Sequence, residues 1–263
     1  MTRKKAVLSS MINKIKFLFV LLILGSNTQA QQLLDTLVFS SNHQKTVFVL
    51  TATAGYVHKE AIPAGKILLQ SLAKSQKFNL LHSNRADSIE LLNGSPIDTI
   101  IFLCTTQDIF NKKQQKQIEN YIKNGGGFIG IHAAADTEYE WPWYGKLVGA
   151  YFESHPPGTP SAIITTLDPE NPITNHLPKT WEIEDEWYNF TFQNDSIQSL
   201  LNLEETSYKG GKNGEWHPIT WFHDYDGGRS FYTGMGHKAA TYNDIRFIEL
   251  LQKGLAYTMK TDY

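Results

Sequence analysis

The sequence predicts an α/β fold: a doubly wound, mostly parallel sheet flanked by helices, with antiparallel additions in the C-terminal half. Three observations predict it. Short apolar or β-branched runs recur through the first half, roughly 10 to 15 residues of helix-compatible sequence separate them, and the second half changes to strands divided by turn-rich loops.

Thr46 to Leu50 is the first such strand, and it ends in the loop TATAGYVH. Glu60 to Ala73 carries Ile62, Leu68, Leu69 and Leu72 at helical spacing, with Pro63 tolerated in the first turn. Phe78 to Leu81 and Thr99 to Leu103 read as the second and third strands. Lys112 to Lys123 reads as a polar helix with Ile118 and Ile122 inward, closed by Gly125 to Gly127 as a C-cap. Phe128 to Ile131 is the fourth strand, and the βαβ rhythm implies helices on both faces. Ser161 to Thr166, Pro218 to Phe222 and Arg229 to Thr233 read as strands, the last two divided by Asp226-Gly227-Gly228. Tyr242 to Met259 is expected to be a closing helix, with Ile245, Phe247, Ile248, Leu250, Leu251 and Leu255 inward.

Ahead of this domain, expected over 46–260, the sequence predicts a secretory leader over residues 1–30 and a lead-in over 31–45. Arg3, Lys4, Lys5, Lys14 and Lys16 precede the apolar run Phe17 to Leu24, and Thr28-Gln29-Ala30 offers a small-residue cleavage site. An alternative start at Met11 would give a leader of more ordinary length. The apolar run falls short of the roughly 20 residues a spanning helix needs, so export, to a periplasm where the cell has one, is expected without membrane insertion. Cleavage leaves 233 residues carrying 19 basic and 26 acidic side chains, a formal charge of −7 that disfavours a nucleic-acid partner. The single cysteine, Cys104, forms no intramolecular disulfide, and its neighbours offer neither a base nor an electropositive turn. A buried small hydrophobe is the expectation.

The segment GGGFIGIHAAADTEYEWPWYGKLVGAYFESHP, residues 125–156, runs from a buried strand into a loop crowded with His, Asp, Glu and Trp. In an open parallel sheet, residues just past a strand's carboxyl end line the ligand crevice. His132, Asp136 and Glu138 are expected at that rim. Trp141 and Trp143, with Trp187 from a second acidic and aromatic cluster, are candidate stacking faces for a sugar ring, against the alternative that they are core.

With TATAGYVHKEAIPAG near the start, WEIEDEWYNF at 181–190 and PITWFHDYDGGRSFYTGMGH at 218–237, the chain resembles the trehalose-utilization (ThuA-like) family across about residues 44–259. The resemblance implies a fold similar to class I glutamine amidotransferases, in which a strand, a tight turn and a helix present a nucleophilic Cys. Here the comparable turn reads GFIGIHAA, with His132 near the place of that thiol, so amidotransferase chemistry is expected to be lost. It also implies a link to disaccharide use and to pathways that oxidise a glucoside 3-hydroxyl to a ketone.

Four histidines lie in motif loops: His58, His132, His155 and His237. Each suits acid–base work or metal ligation, although no spacing among them is a recognised metal signature. The plainer reading of each is a ring that hydrogen-bonds a loop backbone. Asp136 is read as a residue that fixes His132 or caps the next helix, and Glu184 to Glu186 as either a solvated turn or a source of a cleft carboxylate. The expected function is action on a glycoside or its 3-keto derivative, with His132, Glu138 and Glu186 catalytic and His58, Asp136, Trp141, Trp143, His155, Trp187 and His237 binding substrate. A non-catalytic sugar-binding protein is the alternative. A hydrolase dependent on a divalent metal held by the four histidines is the third reading.

Overall fold

The computed structural model describes residues 44–262, so the expected leader and nearly all of the lead-in lie outside the described residues. Eleven strands are described, nine of them in one sheet of order β2-β1-β3-β4-β11-β10-β9-β6-β7. Here β1 is Thr46–Leu50, β2 Asn79–Ser83, β3 Thr99–Leu103, β4 Gly127–Ile131, β6 Ser161–Thr166, β7 Thr180–Glu184, β9 Gln198–Leu203, β10 Pro218–Tyr225 and β11 Gly228–Thr233. The first five in that order pair in parallel and the remainder antiparallel. β5 (Ala150–Ser154) and β8 (Asn189–Phe192) form a separate antiparallel pair.

The residues explain this division. TVFVL, TIIFL and GFIGI are buried at every position, as strands covered on both faces must be, while SAIITT in β6 alternates buried with more exposed residues. Among the described residues four helices flank the sheet: α1 (Ala61–Gln76), α2 (Lys112–Lys123), α3 (Pro142–Val148) and α4 (Ile245–Met259). α2 opens on a capping box in which the Asn111 side chain accepts from Gln114 N while the Gln114 side chain accepts from Asn111 N. It closes on Gly125 at φ 91°, as the glycine run implies. The closing helix starts three residues later than expected, because Asp244 adopts an extended conformation and its side chain caps Arg246 N. Residues 239–243 form a separate 3-10 turn.

Strands β5, β7, β8 and β9 are not among those expected from the sequence. Each is four to six residues long, and in the TWEIE of β7 only Trp181 is buried. The order β2-β1-β3 reverses direction across β1, which opens a crevice beyond the strands' carboxyl ends. His58 follows β1, His132 follows β4 and His237 follows β11, all at that end of the parallel strands.

Candidate active site

His132 stands directly after β4 at φ 50°, a left-handed conformation that a non-glycine residue holds only where its surroundings impose it. Three contacts impose it. The Tyr232 hydroxyl donates to the His132 carbonyl at 2.8 Å, the His132 Nδ1 meets the Gly234 carbonyl at 2.9 Å, and the ring of Tyr188 lies 4.3 Å from the imidazole. Gly130 lets the turn fold back this tightly, since a Cβ there would stand 2.9 Å from Tyr232 and 3.2 Å from the Ala134 Cβ. A carbonyl only accepts, so Nδ1 carries a proton and Nε2 is the ring atom turned inward.

That nitrogen faces two groups. His132 Nε2 lies 3.2 Å from His237 Nδ1 and 3.3 Å from Glu186 Oε2, and His237 Nδ1 lies 3.1 Å from the same oxygen. His58 stands edge-on to both rings, 4.9 Å from His132 and 5.2 Å from His237 between centroids. One ligand atom from each of His58, His132, Glu186 and His237 lies within 4.8 Å of the others, a set suited to a metal ion. Glu186 reaches outward with its other oxygen to His155 Nδ1, 3.4 Å away.

Burial by itself pushes the Glu186 carboxyl upward, but hydrogen bonds from His132 and His237, and their charges, more than offset it and hold the group well below the usual carboxylate range. The hydrogen bond to Glu186 raises His237 against the opposing effect of burial. Burial, then the neighbouring imidazoles, lowers His58 to about 3.

Asp185 aims the loop that carries His237. Its wholly buried carboxylate accepts from Gly236 N (2.8 Å), His237 N (3.0 Å), Lys238 N (3.3 Å) and Thr241 Oγ1 (2.8 Å). Gly236, at φ 119°, makes the turn, and a Cβ there would press on the Tyr242 hydroxyl at 2.8 Å. Its neighbours Glu184 and Glu186 thus differ: Glu184 is exposed and pairs with Lys238, whereas Glu186 is buried among imidazoles. The solvated-turn reading fits only the first.

A cavity of about 370 Å³ opens over the cluster, lined by Tyr56, His58, Asp136, Phe152, His155, Glu186, Tyr188 and His237. A second hollow of about 530 Å³ shares Tyr56, His58 and His237 and extends to Lys59, Glu60, Thr159 and Lys238. His155 is 38% exposed at its side chain, and its Nδ1 bonds the Pro156 carbonyl at 2.8 Å, which leaves Nε2 with the lone pair.

Several expectations are corrected. Glu138 turns away from the cleft: its carboxylate accepts from Ile109 N (2.7 Å), Phe110 N (2.8 Å) and Gln115 Nε2 (2.7 Å), which makes it an anchor for the approach to α2. Asp136 neither caps a helix nor bonds His132. It accepts from the Tyr139 hydroxyl and Gln107 Nε2, and burial, opposed by those bonds, raises its carboxyl. The three candidate tryptophans do not line the cleft. Trp187 is fully buried with its indole N–H on the Pro160 carbonyl, Trp141 is buried and stacks on Trp143, and the Trp143 N–H goes to Asp226 Oδ2. The aromatic wall is instead Tyr56, Phe152 and Tyr188, which the sequence reading missed. The signal for Tyr188 was present in WEIEDEWYNF, where every-second-residue alternation puts Glu186 and Tyr188 on one side and Asp185 and Trp187 on the other. Cys104 is buried beneath the site, where desolvation pushes its thiol up to about 12.

Replacing Glu138 by Ala is therefore expected to cost about 2 to 4 kcal/mol, because three donors, two of them buried, lose their acceptor, with turnover per folded molecule unchanged. Urea denaturation beside initial rates checks this, and a rate collapse at unchanged stability would return Glu138 to a catalytic role.

The chain matches the family model ThuA, described as trehalose utilisation, over residues 46–258. No protein of curated function matches it by sequence. Among solved structures, a ThuA-like protein from Bacteroides uniformis ATCC 8492 superposes with a TM-score of 0.70 at 23% identity, covering 82% of this chain and 91% of that one. A ThuA-like protein from Parabacteroides merdae ATCC 43184 gives 0.68 at 17% identity, covering 83% and 91%. A β-galactosidase from Rahnella sp. R3 gives 0.56 at 12% identity, covering 84% of this chain and 32% of that one. At these identities the likeness is one of fold.

Proposed function

Because the chain belongs to the ThuA family of trehalose utilisation, we propose that it is an exported enzyme of carbohydrate utilisation that transforms a glycoside or its 3-keto derivative in the cleft over Glu186. The family supports the role in carbohydrate utilisation. The observation that carries the enzymatic reading is the carboxylate of Glu186, shared by His132, His155 and His237 at the floor of a cavity with aromatic walls. A binding protein gains nothing from holding such a group charged among imidazoles, whereas proton transfer to and from a sugar requires nearby groups of this kind.

A ketone at C3 acidifies the C2–H bond. His155 Nε2 takes that proton, the electron pair forms the C1=C2 double bond by way of the enolate, and the glycosidic C1–O bond breaks. The departing alkoxide takes a proton from Asp136, whose raised carboxyl is suited to donate one. Tyr56, 65% exposed at the mouth, and Phe152 offer flat faces to the ring. His132, wholly buried, supports the cluster from behind instead of touching substrate.

Mass spectrometry of the purified protein incubated with glucosides and their 3-keto derivatives, trehalose included, tests the reading. New products are expected, with His155→Ala slowing their formation by about 100-fold to 10,000-fold. An unchanged panel would leave a sugar-binding role and defeat the enzymatic one.

A further inference from the structure

We propose that His132, His237, Glu186 and His58 form a binding site for one divalent first-row transition ion, zinc being the best match, at the floor of the cleft. The inference deepens the functional reading by naming what the cluster holds, and it rests on the geometry of the four side chains.

His132 Nε2, His237 Nδ1 and Glu186 Oε2 make a nearly equilateral triangle with edges of 3.2, 3.3 and 3.1 Å. Ligands arranged tetrahedrally around an ion at about 2.0 to 2.1 Å stand about 3.3 Å apart, so the triangle has the size of one face of such a polyhedron. Three ligand atoms from separate loops thus face one common point. The Gly234 carbonyl holds a proton on His132 Nδ1, which leaves Nε2, 3.3 Å from Glu186 Oε2, as the ring atom that can ligate an ion. A cation over the triangle satisfies all three atoms at once.

Two further observations point the same way. His58 is 4% exposed, its Nδ1 is buried without a hydrogen-bond partner, and a ligand atom of the same ring stands within 4.8 Å of the other three. The outer groups are also fixed as metal-bound histidines require: His132 by the Gly234 carbonyl, and the His237 backbone by Asp185. Three imidazoles and one carboxylate favour a borderline transition ion over calcium or magnesium, which take oxygen ligands. Expansion to five-coordination on the cleft side admits a substrate oxygen, where the ion would polarise a sugar carbonyl.

The test needs no saccharide, so it fails or succeeds independently of the product panel. Chelator-stripped protein is titrated with zinc by calorimetry, and with cobalt while visible absorption is recorded. One ion per chain is expected, with the intense absorption of four- or five-coordinate cobalt. Glu186→Gln and His237→Ala should each weaken binding by at least about 100-fold, and His155→Ala, outside the set, should still bind one ion. Circular dichroism of each variant separates lost ligands from lost fold. No stoichiometric binding to the folded wild-type protein, or equal binding by Glu186→Gln, would overturn the proposal and leave a cluster held by protons.

Discussion

Zinc at about a thousand times its dissociation constant is expected to raise the melting temperature by roughly 8 to 16 °C. An ion that binds only the folded chain contributes about 4 kcal/mol at that excess, and 1 kcal/mol shifts a domain of this size by about 2 to 4 °C. The native state alone can supply the site, because its ligands come from the loops after β1, β4 and β11 and from the loop between β7 and β8. Unfolding disperses them along the chain. Differential scanning fluorimetry across a zinc series reads the shift, and Glu186→Gln should abolish most of it. Turnover should follow the same titration: stripped protein loses it, and added zinc restores it. A melting temperature indifferent to zinc would contradict this expectation.

The second large effect belongs to a residue that never touches substrate. Asp185→Ala removes the acceptor of four backbone N–H groups, those of Glu186, Gly236, His237 and Lys238, and of the Thr241 hydroxyl. At about 1 to 3 kcal/mol for each stranded donor, less what relaxation and entering water recover, the loss is about 3 to 5 kcal/mol. The same change releases the His237 loop, so metal affinity should fall with stability. Asp185→Asn is expected to be intermediate, since one amide oxygen still accepts while the amide nitrogen meets a backbone N–H. Urea denaturation and zinc titration of both variants check this. Full stability in Asp185→Ala would mean that the 236–241 turn holds itself.

Much of this architecture was legible in the chain because burial on both faces leaves continuous apolar runs, and TVFVL, TIIFL and GFIGI are such runs. The strands between Ala150 and Leu203 were not, because they are short and several carry little buried apolar surface. At the site, the same logic put His58 and His132 past the ends of parallel strands, and Glu186 entered through its aromatic neighbours. The sequence could not show which histidines share a centre. His155 was grouped with the other three, yet it stands outside the ligand set and reaches Glu186 through the opposite carboxylate oxygen. Nor could it show the direction of Glu138. Its side chain is claimed by the backbone N–H groups of Ile109 and Phe110, a contact between loops that leaves no periodic trace. The size of tryptophan suggests a stacking face for a sugar, but the indole N–H of Trp187 is spent on the Pro160 carbonyl and that of Trp143 on Asp226.

Anomalous diffraction at the zinc edge, from crystals grown with zinc and soaked with a 3-keto glucoside, tests the central claim most directly. A single strong peak bounded by His132 Nε2, His237 Nδ1 and Glu186 Oε2, with the sugar ring against Tyr56 and His155, is the expected result. No peak in that triangle, or a sugar bound away from Glu186, would contradict the account.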